Sequence, residues 1–328
     1  MIRMNYHIFF TSILLGVLLS CQPAPDTQQI ISLDLNTVPE SVALFGENFV
    51  STALYERDIA IAPSGDEIIY TLGDYKQSKR GLVAVTREMG LWSSPQLLSF
   101  SGRYQDIEPF LSPDGNRLYF ASDRPIFGDT TRSDYNIWYS DRTNGEWVTP
   151  VALDSVINTR GHEFFPSVSL RGTLYFTATR QDGIGSEDIF KSVLLGGEFQ
   201  TPTVLPAAIN SKTYEFNAYI SPEEDLIVFS SYGRADDLGG GDLYCSQKDS
   251  AGNWIIAKNL GPLINSDKLD YCPFIDWKSR NLYFTSERVP VEQKVFGSVE
   301  DLRRMANSAY NGHGNIFRIS LDRAIPPQ

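Results

Sequence analysis

A single all-β propeller of five four-stranded blades is the fold this sequence predicts, with the last blade completed by a strand from near the N-terminus. Three observations lead there. One unit recurs five times. Its clearest copy runs Asp106-Ile-Glu-Pro109-Phe-Leu-Ser112-Pro113-Asp114-Gly115 and on through Leu118-Tyr119-Phe120 to Arg124. The stretches Glu56 to Leu72, Glu163 to Arg180, Glu215 to Arg234 and Asp270 to Arg288 align with it. The aromatic ends of the second β-rich runs, Tyr70, Phe120, Phe176, Phe229 and Phe284, lie 50, 56, 53 and 55 residues apart, which is a blade-sized period. Within each unit the first two runs flank Ser-Pro-Asp-Gly or a degenerate equivalent, the turn chemistry that joins antiparallel strands. The composition agrees: 42% hydrophobic, 21% charged and 25 Gly among 328 residues describe a globular chain.

Taken in order, the chain opens with Arg3 and a twelve-residue apolar run, Ile8 to Leu19, too short to span a bilayer. A basic start, a short apolar core and a small residue before the cut mark residues 1–20 as a secretory signal. Leu18-Leu19-Ser20-Cys21 resembles the lipobox of bacterial lipoproteins, which implies lipidation at Cys21 and a protein held on a membrane surface. Residues 21–37 read as a flexible tether, and 38–328 as the propeller. Val38-Pro39-Glu40-Ser41-Val42 fits the Pro-x-x-Leu pattern of a fourth strand, so this segment is expected to complete the last blade and protect its edge.

Third strands are expected at Gly81–Val85, Asn136–Ser140, Asp188–Ser192, Asp242–Ser246 and Asn315–Ile319. Fourth strands follow at Trp92–Leu98, Trp147–Leu153, Phe199–Leu205 and Trp254–Leu260, each an aromatic residue and then, except at Ala257, a Pro before the closing Leu. The fifth unit lacks its own fourth strand. Residues 289–314 are an insertion in the last blade, with a short helix expected over Val299–Met305.

These residues carry a resemblance. Asp-x-x-Pro-x-x-Ser-Pro-Asp-Gly-x-x-Leu-Tyr-Phe-x-Ser-x-Arg, followed by Asp-Ile-Tyr, Trp-x-x-Pro-x-x-Leu and Ile-Asn-Ser patterns, resembles the TolB-type WD-like propeller repeat found in cell-envelope lipoproteins of Bacteroidetes-type bacteria. It covers about residues 38 to 321. The first and third blades have degenerate turns, and no OmpA-like peptidoglycan-binding domain follows. What the resemblance implies is a scaffold or binding protein of the envelope, anchored at the outer membrane on its periplasmic or outer face.

An acid stands three positions before the first-strand Pro or its equivalent in every unit: Glu56, Asp106, Glu163, Glu215 and Asp270. One per blade, they are expected to form a ring near the mouth of the central channel, as ligand-binding groups, as a glycosidase carboxylate pair, or as structural acceptors for backbone and Arg. Arg124, Arg180, Arg234 and Arg288 recur after the second strand, and Asn136, Asp188, Asp242 and Asn315 open the third; both series are expected to pin the loop between them. Ile157-Asn158, Ile209-Asn210 and Ile264-Asn265 recur as blade-to-blade turns. His162, beside Glu163, is the best single candidate for proton transfer or ligand contact.

Other chemistry has little material. Asp129, Asp134, Asp236 and Asp237 sit in loops suited to calcium, yet without the spacing of a calcium loop. There is no Gly-x-Ser-x-Gly, His-Glu-x-x-His, phosphate loop or Cys-x-x-Cys, so no cofactor or metal is expected and no catalytic residue is assigned. Cys245 and Cys272 lie on different strands that are not obvious neighbours, so a bond between them is not expected. The net charge of −12, from 28 basic and 40 acidic residues, repels a polyphosphate backbone and argues against nucleic acid. The leading expectation is a non-enzymatic envelope propeller that binds a protein, peptide or glycan. A glycosidase using channel-mouth carboxylates and a propeller subunit of an envelope or secretion assembly are the alternatives.

Overall fold

The computed structural model describes residues 33–290 and 295–325. The signal segment, Cys21 and the tether up to residue 32 lie outside them. Five antiparallel sheets follow one another around an axis. Their first strands are Tyr55–Ile61, Asp106–Leu111, Glu163–Val168, Tyr214–Ile220 and Asp270–Asp276. Each first strand contacts the first strands of the blades on either side, including the fifth against the first, so these strands are innermost and the ring is closed.

The repeated aromatic of the second strand holds the same register in every blade. Tyr70 faces Val83, Phe120 Trp138, Phe176 Phe190, Phe229 Tyr244 and Phe284 Phe317. All five rings are buried, each contributing about 1.5–3 kcal/mol by leaving water. At the far end of the blade, Ser112-Pro113-Asp114-Gly115 turns between strands. The Gly115 amide returns to the Ser112 carbonyl at 2.8 Å, and Gly115 takes φ +73°, a conformation that favours glycine.

The outermost strands are shorter than expected: Gln96–Leu97, Val151–Ala152, Thr203–Val204 and Lys258–Asn259. Proline explains the break in blades 1 to 3. Trp92, Trp147 and Phe199 pair in separate two-residue hairpins, and Pro95, Pro150 and Pro202, which have no N–H to give, stand between those hairpins and the paired dipeptides.

Closure differs in register from the expectation. The strand that completes blade 5 is Ala43–Leu44, paired with Arg318 and Phe317, not Val38–Val42. In the other blades the residue after the paired dipeptide sends its amide to the third strand, as Leu98 does to Leu82 at 2.9 Å and Leu205 to Ile189 at 2.9 Å. Phe45 does the same to Ile316 at 2.8 Å, so Val42 occupies the place of the proline and Pro39 lies three residues too early. The preceding residues are also not free tether. Leu33 and Leu35 are buried beside Phe45 and Val50, the Leu33 carbonyl accepts from Trp92 Nε1 at 3.0 Å, and the Leu35 carbonyl accepts from Asn281. A short strap from Leu33 to Thr37 thus ties blade 1 to blade 5. In the insertion a helix forms over Val299–Ala306, capped by Ser298, whose hydroxyl accepts from the Asp301 amide.

Candidate functional site: the axial mouth

The five repeated acids are fully buried, and their oxygens are occupied within their own blades. Asp106 accepts from Ser101, Ser122 and Arg124; Glu215 from Ser211, Ser231 and Arg234; and Asp270 from Ser266 and Arg288. Glu163 accepts from Thr159, with Arg180 at 3.7 Å. Among the described residues Glu56 accepts from Thr52 alone, because blade 1 has no arginine after its second strand. Burial pushes Glu56 and Glu163 up to about 7. Each arginine is flattened against blade aromatics: Arg234 lies over Phe229 and Tyr244, and Arg288 over Phe284 and Phe317. Their far nitrogens reach the carbonyls of Ile157, Ile209 and Ile264, and the adjacent Asn158, Asn210 and Asn265 accept from and donate to the third strand. These repeated residues therefore form the joints within and between blades, and the acids do not line the axial cavity.

The reason lies in the backbone. Two residues after each acid the inner strand bulges, with its register against the second strand shifting in all five blades. The bulged residues are Asp58, Glu108, Phe165, Asn217 and Cys272, with φ between 46° and 60°, a left-handed conformation unusual for such side chains. In three blades a hydroxyl of the preceding blade accepts the bulge amide. Thr285 Oγ1 lies 3.3 Å from the Asp58 amide, Thr71 Oγ1 3.0 Å from Glu108 and Thr177 Oγ1 3.1 Å from Asn217. Blade 2 has Ala121 at that position, and Glu108 Oε2 accepts from Phe165 instead, at 2.8 Å.

These side chains meet at the axis. Arg57 Nε lies 2.8 Å from both oxygens of Asp58. Arg57 Nη2 donates to Glu108 Oε1 at 2.9 Å and approaches Cys272 Sγ at 3.6 Å. The Cys272 thiol turns to Asn217 Oδ1 at 3.4 Å, and Asn217 Nδ2 donates to Glu108 Oε1 at 3.2 Å. Every blade contributes to this network. Tyr271 lies under Arg57, 5.0 Å from ring centre to guanidinium carbon. Burial pushes the Glu108 carboxyl up while Arg57 draws it back, and burial raises the Cys272 thiol far above its ordinary value.

Above the network is a cavity of about 290 Å³. Most of its walls come from three positions of the repeat, joined by Thr177 and Leu269. The residues after the acids, Arg57, Ile107, Phe164, Phe216 and Tyr271, all line it; Glu108 and Asn217 come from the bulges; and Arg80, Tyr135 and Glu187 immediately precede their third strands' repeated opening residue. Glu187 is half-buried, its carboxyl is pushed up by burial, and no side-chain partner satisfies it among the described residues. His162 sits behind this rim. Its Nδ1 accepts from the Tyr135 amide at 3.0 Å and its ring stacks on Phe164 at 5.4 Å. The opposite end of the axis is a separate apolar pocket of about 300 Å³ including Pro63, Phe110, Pro222 and Trp277.

The remaining candidates fall elsewhere. Asn136 donates to Asp134, Asp188 accepts from the Ile184 and Gly185 amides, Asp242 from the Leu238 amide, and Asn315 donates to the Ala309 carbonyl, all in the loops before third strands. The loop acids are engaged: Asp236 and Asp237 each accept from Tyr244 at 2.8 Å, Asp129 from Thr131 and Asp134 from Arg132. Among the described residues no group of three His, Cys, Asp or Glu is placed to hold a metal, and no helix is long and apolar enough to cross a membrane. Cys245 and Cys272 are both free thiols.

No family model matches the chain, and no curated protein matches it. Among solved structures it is similar to TolB from Acinetobacter baumannii, at 14% identity and a TM-score of 0.44, covering 70% of this chain and 48% of that one. It therefore spans about half the length of that neighbour. A putative TolB from Agrobacterium tumefaciens shares 16% identity with a TM-score of 0.47, over 76% and 78% of the two chains. An α-L-arabinofuranosidase from Lactobacillus brevis shares 12% with a TM-score of 0.47, over 82% and 91%. All three likenesses have TM-scores below 0.5 and say nothing of what this chain binds or does.

Proposed function

We propose that this chain is a lipid-anchored propeller of the bacterial envelope that binds a glycan at its axial mouth without cleaving it. One observation carries the site: the mouth is the place where the repeat stops repeating. The acids, arginines and asparagines that join the blades recur with little change, whereas the wall positions hold a different residue in almost every blade. Structural needs are shared by all five blades; a single asymmetric ligand's needs are not. The wall chemistry supports a sugar: Tyr135, Phe164, Phe216 and Tyr271 offer flat apolar faces, Arg57 and Arg80 donate, and Glu187 accepts. The envelope location rests on the lipobox-like Cys21 and on the TolB-type repeat resemblance.

Hydrolysis is the second reading, favoured by two carboxyls at one mouth, the buried Glu108 and the half-buried Glu187, both raised. Against it, Arg57 and Asn217 donate to one Glu108 oxygen and the Phe165 amide to the other, contacts that favour the charged carboxylate over the protonated acid a leaving group needs. A glycan array probed with the intact chain, followed by incubation with every bound sugar and analysis of products, separates the two. Binding without product formation supports the proposal; products that vanish in Glu187→Gln replace it with the enzyme.

A further inference from the structure

A second cavity opens beside the mouth. It measures about 600 Å³, lies between blades 1 and 2, and shares Arg80 with the mouth. The chain as a whole is strongly acidic, yet this cleft gathers Lys79, Arg80, Arg103 and Arg132 against only Asp74 and Asp123. Both acids are already engaged. Asp74 accepts from the Ser78 amide at 2.6 Å and its hydroxyl at 2.5 Å, and Asp123 accepts from the Gln105 amide at 2.8 Å. Arg132 is paired with Asp134.

The other three cations make no ion pair at contact distance among the described residues, although Arg80 acts on the Glu108 carboxyl across the mouth. Arg80 is aimed by neutral groups, its Nε toward Gln105 Oε1 at 3.2 Å and its Nη2 toward Tyr135 OH at 2.5 Å. Arg103 lies over Tyr104 at 5.3 Å. A guanidinium positioned by uncharged acceptors keeps its full charge, and its planar fork suits a carboxylate.

We infer that the ligand is an acidic glycan, with one sugar in the axial mouth and the next uronate carboxylate lying outward in the cleft against Lys79, Arg80 and Arg103. This rests on the glycan reading of the mouth. The aromatic walls and the unpartnered Glu187 belong to the mouth and the excess cations to the cleft, so the sugar ring and its charge are recognised in adjoining places.

The test is titration calorimetry of the intact chain with tetrasaccharides of galacturonate, mannuronate and glucuronate-containing hyaluronan, each as the free acid and as its methyl ester. At least one acid should bind tenfold or more tightly than its ester. That preference should shrink as salt is raised from 50 to 500 mM, and should fall by tenfold or more in Arg80→Gln. Arg80 touches Tyr135 and Gln105, so Arg103→Gln, at an exposed residue stacked only on Tyr104, provides a second variant whose melting temperature should not move. Esters that bind as well as their acids, or a preference untouched by both variants, overturn the anionic inference and leave the glycan mouth standing. If neither form of any sugar binds, both readings fall.

Discussion

Glu56 is the one repeated acid with no arginine, and that isolation has a measurable pH signature. The carboxyl is fully buried, meets only Thr52, and is pushed by burial from 4.5 to about 7. Between those values the folded chain holds a proton at Glu56 that the unfolded chain releases, so the stability this carboxyl contributes is greatest below about pH 4.5, falls as pH rises towards 7 and levels off above it. The step from 4.5 to about 7, at about 1.4 kcal/mol per pH unit, amounts to about 3 kcal/mol. Glu56→Gln is neutral throughout and removes this dependence. Urea unfolding of wild type and Glu56→Gln, followed by tryptophan fluorescence at pH 5 and pH 8, should show the variant gaining about 2–3 kcal/mol on the wild type between the two conditions. Glu163, raised in the same way, is present in both proteins and cancels. A difference between the two proteins that is the same at both pH values would refute the reasoning.

Three further outcomes follow from the joints. Arg234→Met leaves Glu215 buried without its cation and should cost about 3–5 kcal/mol in urea unfolding, most of it recovered in the double variant Arg234→Met/Glu215→Leu. Thr177→Val removes the acceptor of the Asn217 bulge amide and should cost about 1–3 kcal/mol, with that amide's hydrogen exchange accelerating before the rest of blade 4. Phe45→Ala empties the closing position beside Tyr283 and should cost about 3–5 kcal/mol, with amides of Asn315–Ser320 losing protection first; uniform loss across all blades would contradict the closure described.

The sequence made the propeller legible because its joints must recur. A second-strand aromatic that must face the third strand and a buried acid recur in all five blades, an arginine that meets the acid in four, and the tight turn keeps its left-handed glycine at Gly65, Gly115 and Gly172. The closing strand was displaced by three residues because proline was its marker, and blade 5 uses Val42 at that place. The strap was hidden because Leu33 and Leu35 stand in a stretch with no period. The site was the least legible part. The acids drew attention by repeating, yet repetition is what a joint produces, and the bulge that turns the next two residues to the axis has no glycine to announce it. One signal was present: Asp58, Glu108, Phe165, Asn217 and Cys272, two positions after each repeated acid, differ from blade to blade. Glu187 and Tyr135 were similarly visible as changing residues before a near-constant Asn or Asp.

The central claim is a division of labour, in which varied residues at the mouth hold the ligand and repeated acids hold the blades. It is tested most directly by measuring melting temperature and glycan affinity together in Glu187→Gln and Asp270→Asn. Among the described residues Glu187 has no side-chain partner to lose, whereas Asp270 is clamped by Ser266 and Arg288. The account predicts that Glu187→Gln melts like wild type and binds at least tenfold more weakly, while Asp270→Asn melts many degrees lower and, below its transition, binds like wild type. Undiminished binding by Glu187→Gln together with loss of binding by a folded Asp270→Asn would contradict it.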